Sequence, residues 1–373
     1  IMAPDWQVWD KTFTQEFNLA GQTDRLSWVL GLYYYNNTNE YPGYNVSLFG
    51  SPKFEFFRSE TKTKSYAAFA DATYEVVNGL FLTGGLRYSI DEVDGYFLCS
   101  ACGNLEGQAD ETFKKLTPRV NIRYELAPST SVYASFNQGY KAGFIPVSAF
   151  TLTPIRPESI NAYELGFKTA RGPLSFEAAA FYYEYTDLQV AAYVNSAAVY
   201  RNADKSEIYG VDAQLSAELF EGFTIRLGGT YTHAEYKEFG DAVDYVQNPV
   251  TGLFDHPDVP VDGNVMPRSP EFTGSAGIDY AIDLPLGALT FNANLYYTTE
   301  FFFDSPKRFS QDAYELLNLR ATYTTEDEHW SLSIYGNNLT DTKYRIQVLP
   351  GDFAIQQVYG EPASVGASIG YRF

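Results

Sequence analysis

The last ten residues, SVGASIGYRF at 364–373, alternate without a break. Val365, Ala367, Ile369, Tyr371 and Phe373 fall on one parity, and Ser364, Gly366, Ser368, Gly370 and Arg372 on the other. Successive side chains of a strand point to opposite faces, so this is a strand with one apolar face and one small or polar face. The apolar face needs burial against protein or lipid. A face that carries charge cannot also lie against an apolar layer, so it must meet water or a polar filling.

The same device recurs along the chain. Leu80, Leu82, Gly84, Leu86, Tyr88 and Ile90 share a face opposite Thr83, Gly85, Arg87, Ser89 and Asp91, with only Phe81 out of place. Leu116, Val120, Ile122 and Tyr124 oppose Arg119, Asn121, Arg123 and Glu125. Tyr209, Val211, Ala213, Leu215 and Ala217 oppose Asp212, Gln214, Ser216 and Glu218. About fifteen such strands can be counted, and no segment has a helical period. Short turns are expected near 22, 78, 128, 172, 221, 285 and 326, and longer loops near 45, 105, 150, 197, 253, 307 and 355, including a polar loop over 36–53. Short and long connections alternate, which gives the molecule a turn end and a loop end, as in an outer-membrane barrel. Apolar faces also tend to finish in rings: Tyr34, Tyr74, Tyr88, Tyr124, Tyr182, Tyr231, Tyr280, Tyr297, Tyr323, Trp330 and Tyr371. Rings at strand ends suit a membrane interface, where an aromatic body lies in lipid and a polar tip in water.

Composition agrees. Aromatic residues make up 17% of the chain, including 31 Tyr, more than a soluble core requires. No apolar run is long enough for a transmembrane helix, which excludes a helical membrane protein but not a barrel, whose alternation averages out to the slightly negative mean hydropathy of −0.25. The net charge of −20 leaves no basic stripe for nucleic acid. The fold class expected is all-β, an antiparallel transmembrane up-and-down β-barrel. A substrate-specific or passive porin shares that architecture, and a secreted β-rich adhesin is the alternative outside the membrane.

Five stretches carry a family resemblance: SYAAFADATY (65–74), LTPRV (116–120), NQGYKAG (137–143), YGVD (209–212) and YGNNLTD (335–341). In this order they resemble the TonB-dependent outer-membrane receptors, over nearly the whole chain. The resemblance implies a barrel of about 22 strands plugged by an N-terminal domain. It implies uptake of a scarce nutrient, a ferric siderophore or similar metal chelate, across the outer membrane of a Gram-negative bacterium. The implied partners are outer-membrane lipid and lipopolysaccharide, the barrel-assembly machinery, the nutrient ligand, and the TonB energy-transducing complex acting through the N-terminal region. Neither a plug nor a TonB-contact motif can be read here. Residues 1–373 are therefore expected to be a barrel domain alone, with the plug and about seven strands upstream. An odd strand count supports that expectation, since closed single-chain bacterial barrels normally have an even one. The terminal Phe373, with Tyr371 and Ile369, resembles the C-terminal signal read by the assembly machinery.

Candidate sites follow from the faces and loops. Loops that cap a rigid wall are where a ligand is caught, so the rim aromatics Tyr41, Tyr44, Phe144, Tyr193, Phe302 and Phe303 are candidates for stacking on it. Arg87, Arg119, Arg123, Arg226 and Arg320 are assigned to the lumen or plug side, with Glu164, Asp212, Glu218 and Asp279 as their expected partners. Arg156, Arg201, Lys205, Lys307 and Arg308 lie in or near loops. The stretch 238–267 carries six acidic residues and no Lys or Arg; Asp241, Asp244, Asp255, Asp258 and Asp262 offer the oxygens a calcium ion takes, but their spacing matches no EF-hand, and no metal ligand is assigned. Cys99 and Cys102 are expected to form a loop disulfide in an oxidising compartment. His233, His256 and His329 stand apart with no catalytic motif around them, so no enzyme, catalytic residue or cofactor is expected.

Overall fold

The computed structural model describes residues 2–48, 54–194, 197–350 and 354–373. One antiparallel sheet dominates. Besides the short strand Met2–Trp6, it holds fifteen strands among the described residues: β1 (Trp9–Gln22), β2 (Leu26–Leu48), β3 (Phe54–Val77), β4 (Leu80–Cys99), β5 (Leu105–Ala127), β6 (Thr130–Lys141), β7 (Glu158–Arg171), β8 (Leu174–Val194), β9 (Ala197–Phe220), β10 (Phe223–Glu238), β11 (Phe272–Leu284), β12 (Gly287–Thr298), β13 (Tyr314–Thr325), β14 (Trp330–Asn337) and β15 (Ser364–Tyr371). Neighbours in the sheet are neighbours in the chain, an up-and-down meander. Met2–Trp6 continues the β1 side along the far end of β2.

Register lines up like faces. Leu30 pairs with Ala70, Ala70 with Leu86, and Leu82 with Ile122, which makes a continuous apolar surface across β2 to β5. Leu32 is 61% exposed and Leu165 63%, so this surface is not covered by protein and needs lipid. Two aromatic belts bound it. Near the turns lie Tyr74, Tyr124, Tyr280, Tyr323, Trp330 and Tyr371, with Trp330 and Tyr371 4.7 Å apart between ring centroids. At the other edge lie Tyr34, Tyr88, Tyr182, Tyr231 and Tyr297; Tyr34 is 5.3 Å from Tyr66, and Tyr163 is 6.3 Å from Tyr182. Beyond that belt the same outward positions become charged, at Lys64, Glu92, Glu184, Glu207 and Glu235. The apolar band therefore ends where lipid should end.

All seven short turns fall at one end, as expected from the sequence. Gly222 shows why such a turn is specified: its φ is +76°, and a Cβ there would lie 2.4 Å from the Ala281 carbonyl oxygen. The loop end differs from expectation. The polar stretch 36–53 is not a loop over its described part, because β2 runs on to Leu48 and β3 starts at Phe54; residues 49–53 lie outside the described residues. Likewise β4 and β5 rise to a short connection between Cys99 and Leu105, and β8 and β9 continue past the belt to Val194 and from Ala197. Past the membrane both faces of a strand may be polar, as at Asn36, Asn37, Thr38 and Asn39, so alternation disappears while the ladder continues.

Buried apolar side chains gather at this end. Ile145 and Val147, from the segment joining β6 to β7, pack with Val93 and Phe97 of β4. Tyr236, Phe239, Ala242 and Val261 pack with Ala203 of β9. Two inward-folded segments, 142–157 and 239–271, are thus seated on the tall strands.

Candidate functional site

The polar face of the wall is knitted by short cross-strand contacts. Arg119 Nε is 2.6 Å from Asp71 Oδ2, reaching over β4 at Gly85, where a Cβ would meet Asp71 at 2.4 Å and Arg119 at 2.8 Å. Arg226 pairs with Asp279, which also accepts a 2.5 Å hydrogen bond from Asn292 Nδ2. Arg123 pairs with Glu125 and lies 4.1 Å over the Phe81 ring, which explains why Phe81 departs from the alternation. Arg87 donates to Ser89 Oγ and sits 5.2 Å over Tyr33, and Arg320 sits 4.9 Å over Tyr335. Of the carboxylates expected to pair with these arginines, only Asp279 does so. Glu164 instead accepts from the Tyr133 hydroxyl at 2.5 Å, Asp212 from Thr230 Oγ1 at 2.8 Å, and Glu218 from the Gly222 N–H at 3.2 Å. An arginine meets whatever stands opposite or diagonal on its own face, and register decides that.

Above the wall, segment 142–157 is pinned at its neck by a bridge between Phe144 and Ile155. Gln189 Nε2 of β8 donates to the carbonyls of Ala142 and Arg156, 3.0 Å each. Asn202 of β9 both donates to the Arg156 carbonyl and accepts from its N–H, again at 3.0 Å. The segment thus stands at a fixed distance from the β8–β9 hairpin, and a cavity of about 760 Å³ lies between it, that hairpin and segment 239–271. Arg156, Tyr200, Arg201, Asp204, Asp241 and Asp258 line it.

The ring of Phe144 meets that of Tyr200 edge-on at 4.9 Å. Burial raises the Tyr200 phenol above its usual range, as do the nearby phenols of Tyr193 and Tyr41, against an opposing hydrogen bond with Ser148. Tyr200 therefore stays neutral. Of the six rim aromatics read from the sequence, Phe144 makes this ring contact with Tyr200. Tyr44 instead stacks on Phe57 at 5.3 Å. Phe302 and Phe303 stand in the β12–β13 connection, with Lys307 5.8 Å over the first and Arg268 5.4 Å over the second. Tyr200 is not among the rim aromatics expected from the sequence, because it lies on strand β9 where a loop is expected near 197; its place beside Arg201 is the signal the sequence offers.

The acidic stretch is spent within the protein. Asp244 accepts from Arg308 Nε at 2.8 Å, Asp262 from the Phe239 N–H at 2.7 Å, and Asp255 from Asn248 Nδ2 at 3.1 Å. Asp241 and Asp258 each stand 3.4 Å from Arg201. Among the described residues no three His, Cys, Asp or Glu side chains gather as metal ligands. Cys99 and Cys102 are joined in a disulfide at the β4 tip, with Cα atoms 5.2 Å apart. Ile369, Tyr371 and Phe373 lie on the exposed apolar side of the β15 strand and its end.

A family model described as TonB dependent receptor-like, beta-barrel matches residues 2–339. Among curated proteins the chain is similar to the pesticin receptor of Yersinia pestis, 24% identical, with 94% of this chain and 50% of that protein covered. It is 25% identical to the ferric-pyoverdine BN7/BN8 receptor of Pseudomonas putida, with 96% and 43% covered. Among solved structures, the ferric yersiniabactin uptake receptor FyuA from Yersinia pestis superposes with a TM-score of 0.84 at 20% identity, over 100% of this chain and 55% of that one. The siderophore receptor PiuA from Acinetobacter baumannii gives 0.75 at 19%, over 98% and 56%. The chain spans about half the length of the curated relatives it matches.

Proposed function

The chain belongs to the TonB-dependent receptor-like β-barrel family of Gram-negative outer-membrane proteins, and from that premise we propose that it serves the uptake of a ferric siderophore or a similar metal chelate. The observation that carries this reading is the mouth cavity, lined by Tyr200, two arginines and their carboxylates and seated over a polar wall. A ferric-pyoverdine receptor and a ferric yersiniabactin uptake receptor are among its relatives by name, which supports a chelate as the cargo. The role is transport rather than catalysis. Arg87, Arg119, Arg123, Arg226 and Arg320, with Glu164 and Asp212, line the interior that a plug would fill.

In this reading the chain is the barrel part of a larger receptor. Strands β1 and β15 each have a single neighbour among the described residues, and two open edges in lipid leave backbone groups without partners. Further strands and a plug complete the wall, and the TonB complex acts through them. Lipid and lipopolysaccharide surround the apolar band, and the assembly machinery engages the end of β15.

Deleting the gene in its own host and following radio-iron uptake from a set of ferric chelates tests the proposal. Uptake of at least one chelate should be lost, be restored by the gene, and collapse when the proton gradient is dissipated. Unchanged uptake of every chelate overturns the proposal; uptake that survives dissipation makes the barrel a passive channel.

A further inference from the structure

The two arginines of the mouth cavity are already engaged. Arg156 donates from Nε to Asp187 Oδ1 at 2.9 Å, and its Nη2 is 2.7 Å from the same oxygen and contacts Asp204. Arg201 stands between Asp241 and Asp258, 3.4 Å from each, and its Nη1 donates to the Tyr200 carbonyl at 3.2 Å. Each guanidinium thus faces two carboxylates, and of the four acids Asp204, Asp241 and Asp258 line the cavity, one more charge than its two cations. The cavity lining holds no other cation among the described residues.

An anionic guest meets this arrangement badly. To reach either guanidinium it must displace a carboxylate that already holds the site, and it approaches the remaining acids without a counter-charge. A neutral or positively charged guest has no such conflict. Its hydrogen-bond donors can be taken by Asp204, Asp241 and Asp258, whose side chains are 60%, 56% and 53% exposed, while Tyr200, Pro146 and Val199 offer an apolar wall.

We infer that this cavity selects ferric chelates of neutral or positive net charge, of the tris-hydroxamate kind, and discriminates against strongly anionic tris-catecholate complexes. The inference rests on the uptake reading above and adds a charge class to it. It is tested by titrating the full-length detergent-purified receptor with three probes: a ferric tris-hydroxamate bearing a free ammonium group, a neutral ferric tris-hydroxamate and a ferric tris-catecholate. Both hydroxamates should bind on the order of tenfold more tightly than the catecholate, a step of about 1.4 kcal/mol. The double variant Asp204→Asn/Asp258→Asn removes two negative charges and leaves each guanidinium with one carboxylate, Asp187 on Arg156 and Asp241 on Arg201, so the preference should shrink and catecholate binding should rise. Equal or tighter catecholate binding by the parent, or an unchanged preference in the double variant, overturns the charge assignment and leaves the uptake reading standing. Binding of none of the three also overturns the charge assignment, and the radio-iron uptake of the deletion strain then decides the uptake reading by itself.

Discussion

Arg308 and Asp244 show how one ion pair fixes a whole segment of the mouth. Asp244 is buried, its side chain only 6% exposed, while Arg308 is half exposed. The guanidinium hydrogen bond holds the Asp244 carboxyl below the usual carboxylate range. Removing the two partners should therefore have unequal effects. Arg308→Ala strands a buried carboxylate and should loosen segment 239–271 by about 2–3 kcal/mol, whereas Asp244→Asn leaves a cation that water can reach and should cost less. Protease cleavage of the segment in isolated outer membranes reads both; equal sensitivity of the two variants would contradict the account. The pH dependence has a definite sign. The folded value lies below the unfolded one of about 3.9, so the stabilisation is complete above that pH and is lost as acid carries the pH down through the lowered value. Cleavage in the parent should rise only below about pH 4, and a rise near neutrality would point to another group. Which side each residue takes was legible in the sequence, since parity alone puts Arg119 and Asp212 on the polar face. Which partner each meets was not. Arg119 finds Asp71 two strands away because Gly85 leaves the intervening space empty, and no local pattern encodes that stagger.

Strand β4 shows where element-level reading succeeds and where it stops. Between the belts its outward residues Leu82 and Leu86 are 43% and 48% exposed, against inward Arg87 and Asp91. An arginine at Leu82 would stand at the lipid face and should cost about 2–4 kcal/mol. Equilibrium unfolding of the intact receptor in denaturant measures this; a variant as stable as the parent would mean that the face is not in lipid. The seven turns and the membrane-spanning parts of the strands were readable because burial on one face enforces a period of two. The upper halves of β2, β3, β8 and β9 were not, because with water available to both faces nothing enforces that period. A disulfide between Cys99 and Cys102 ties off the β4 tip, across from which Cys99 pairs with Leu105. It closes so short a loop that Cys99→Ser/Cys102→Ser should lower stability by less than about 2 kcal/mol and leave assembly intact. Yield of the heat-modifiable receptor in outer membranes is the measurement, and its loss would assign the bridge a larger role.

At the scale of the molecule the open question is closure. The sheet runs from β1 to β15 and neither edge strand has a second neighbour among the described residues. The far edge is also the most exposed part of the apolar surface, with Val365 81% and Ile369 72% exposed. An edge strand with free N–H and C=O groups is tolerable in water but not in hydrocarbon, where each unpaired group costs several kcal/mol. Eight residues of β15 pair with β14 on one side and leave the other side vacant, so the penalty far exceeds the marginal stability of a folded domain. The 373 residues expressed alone behind an export signal should therefore give no heat-modifiable, detergent-resistant species, while the full-length receptor should. A compact, heat-modifiable barrel from these residues alone would show that β1 and β15 can pair with each other and would remove the need for further strands. The end of β15 gives the argument a second arm. Phe373 lies fully exposed, its ring edge-on to that of Tyr371 with centroids 5.1 Å apart. If its role lies in recognition during assembly, deleting it from the full-length receptor should lower the amount inserted in the outer membrane while leaving the melting of the inserted fraction unchanged. A lowered melting temperature at unchanged yield would make it a packing residue instead.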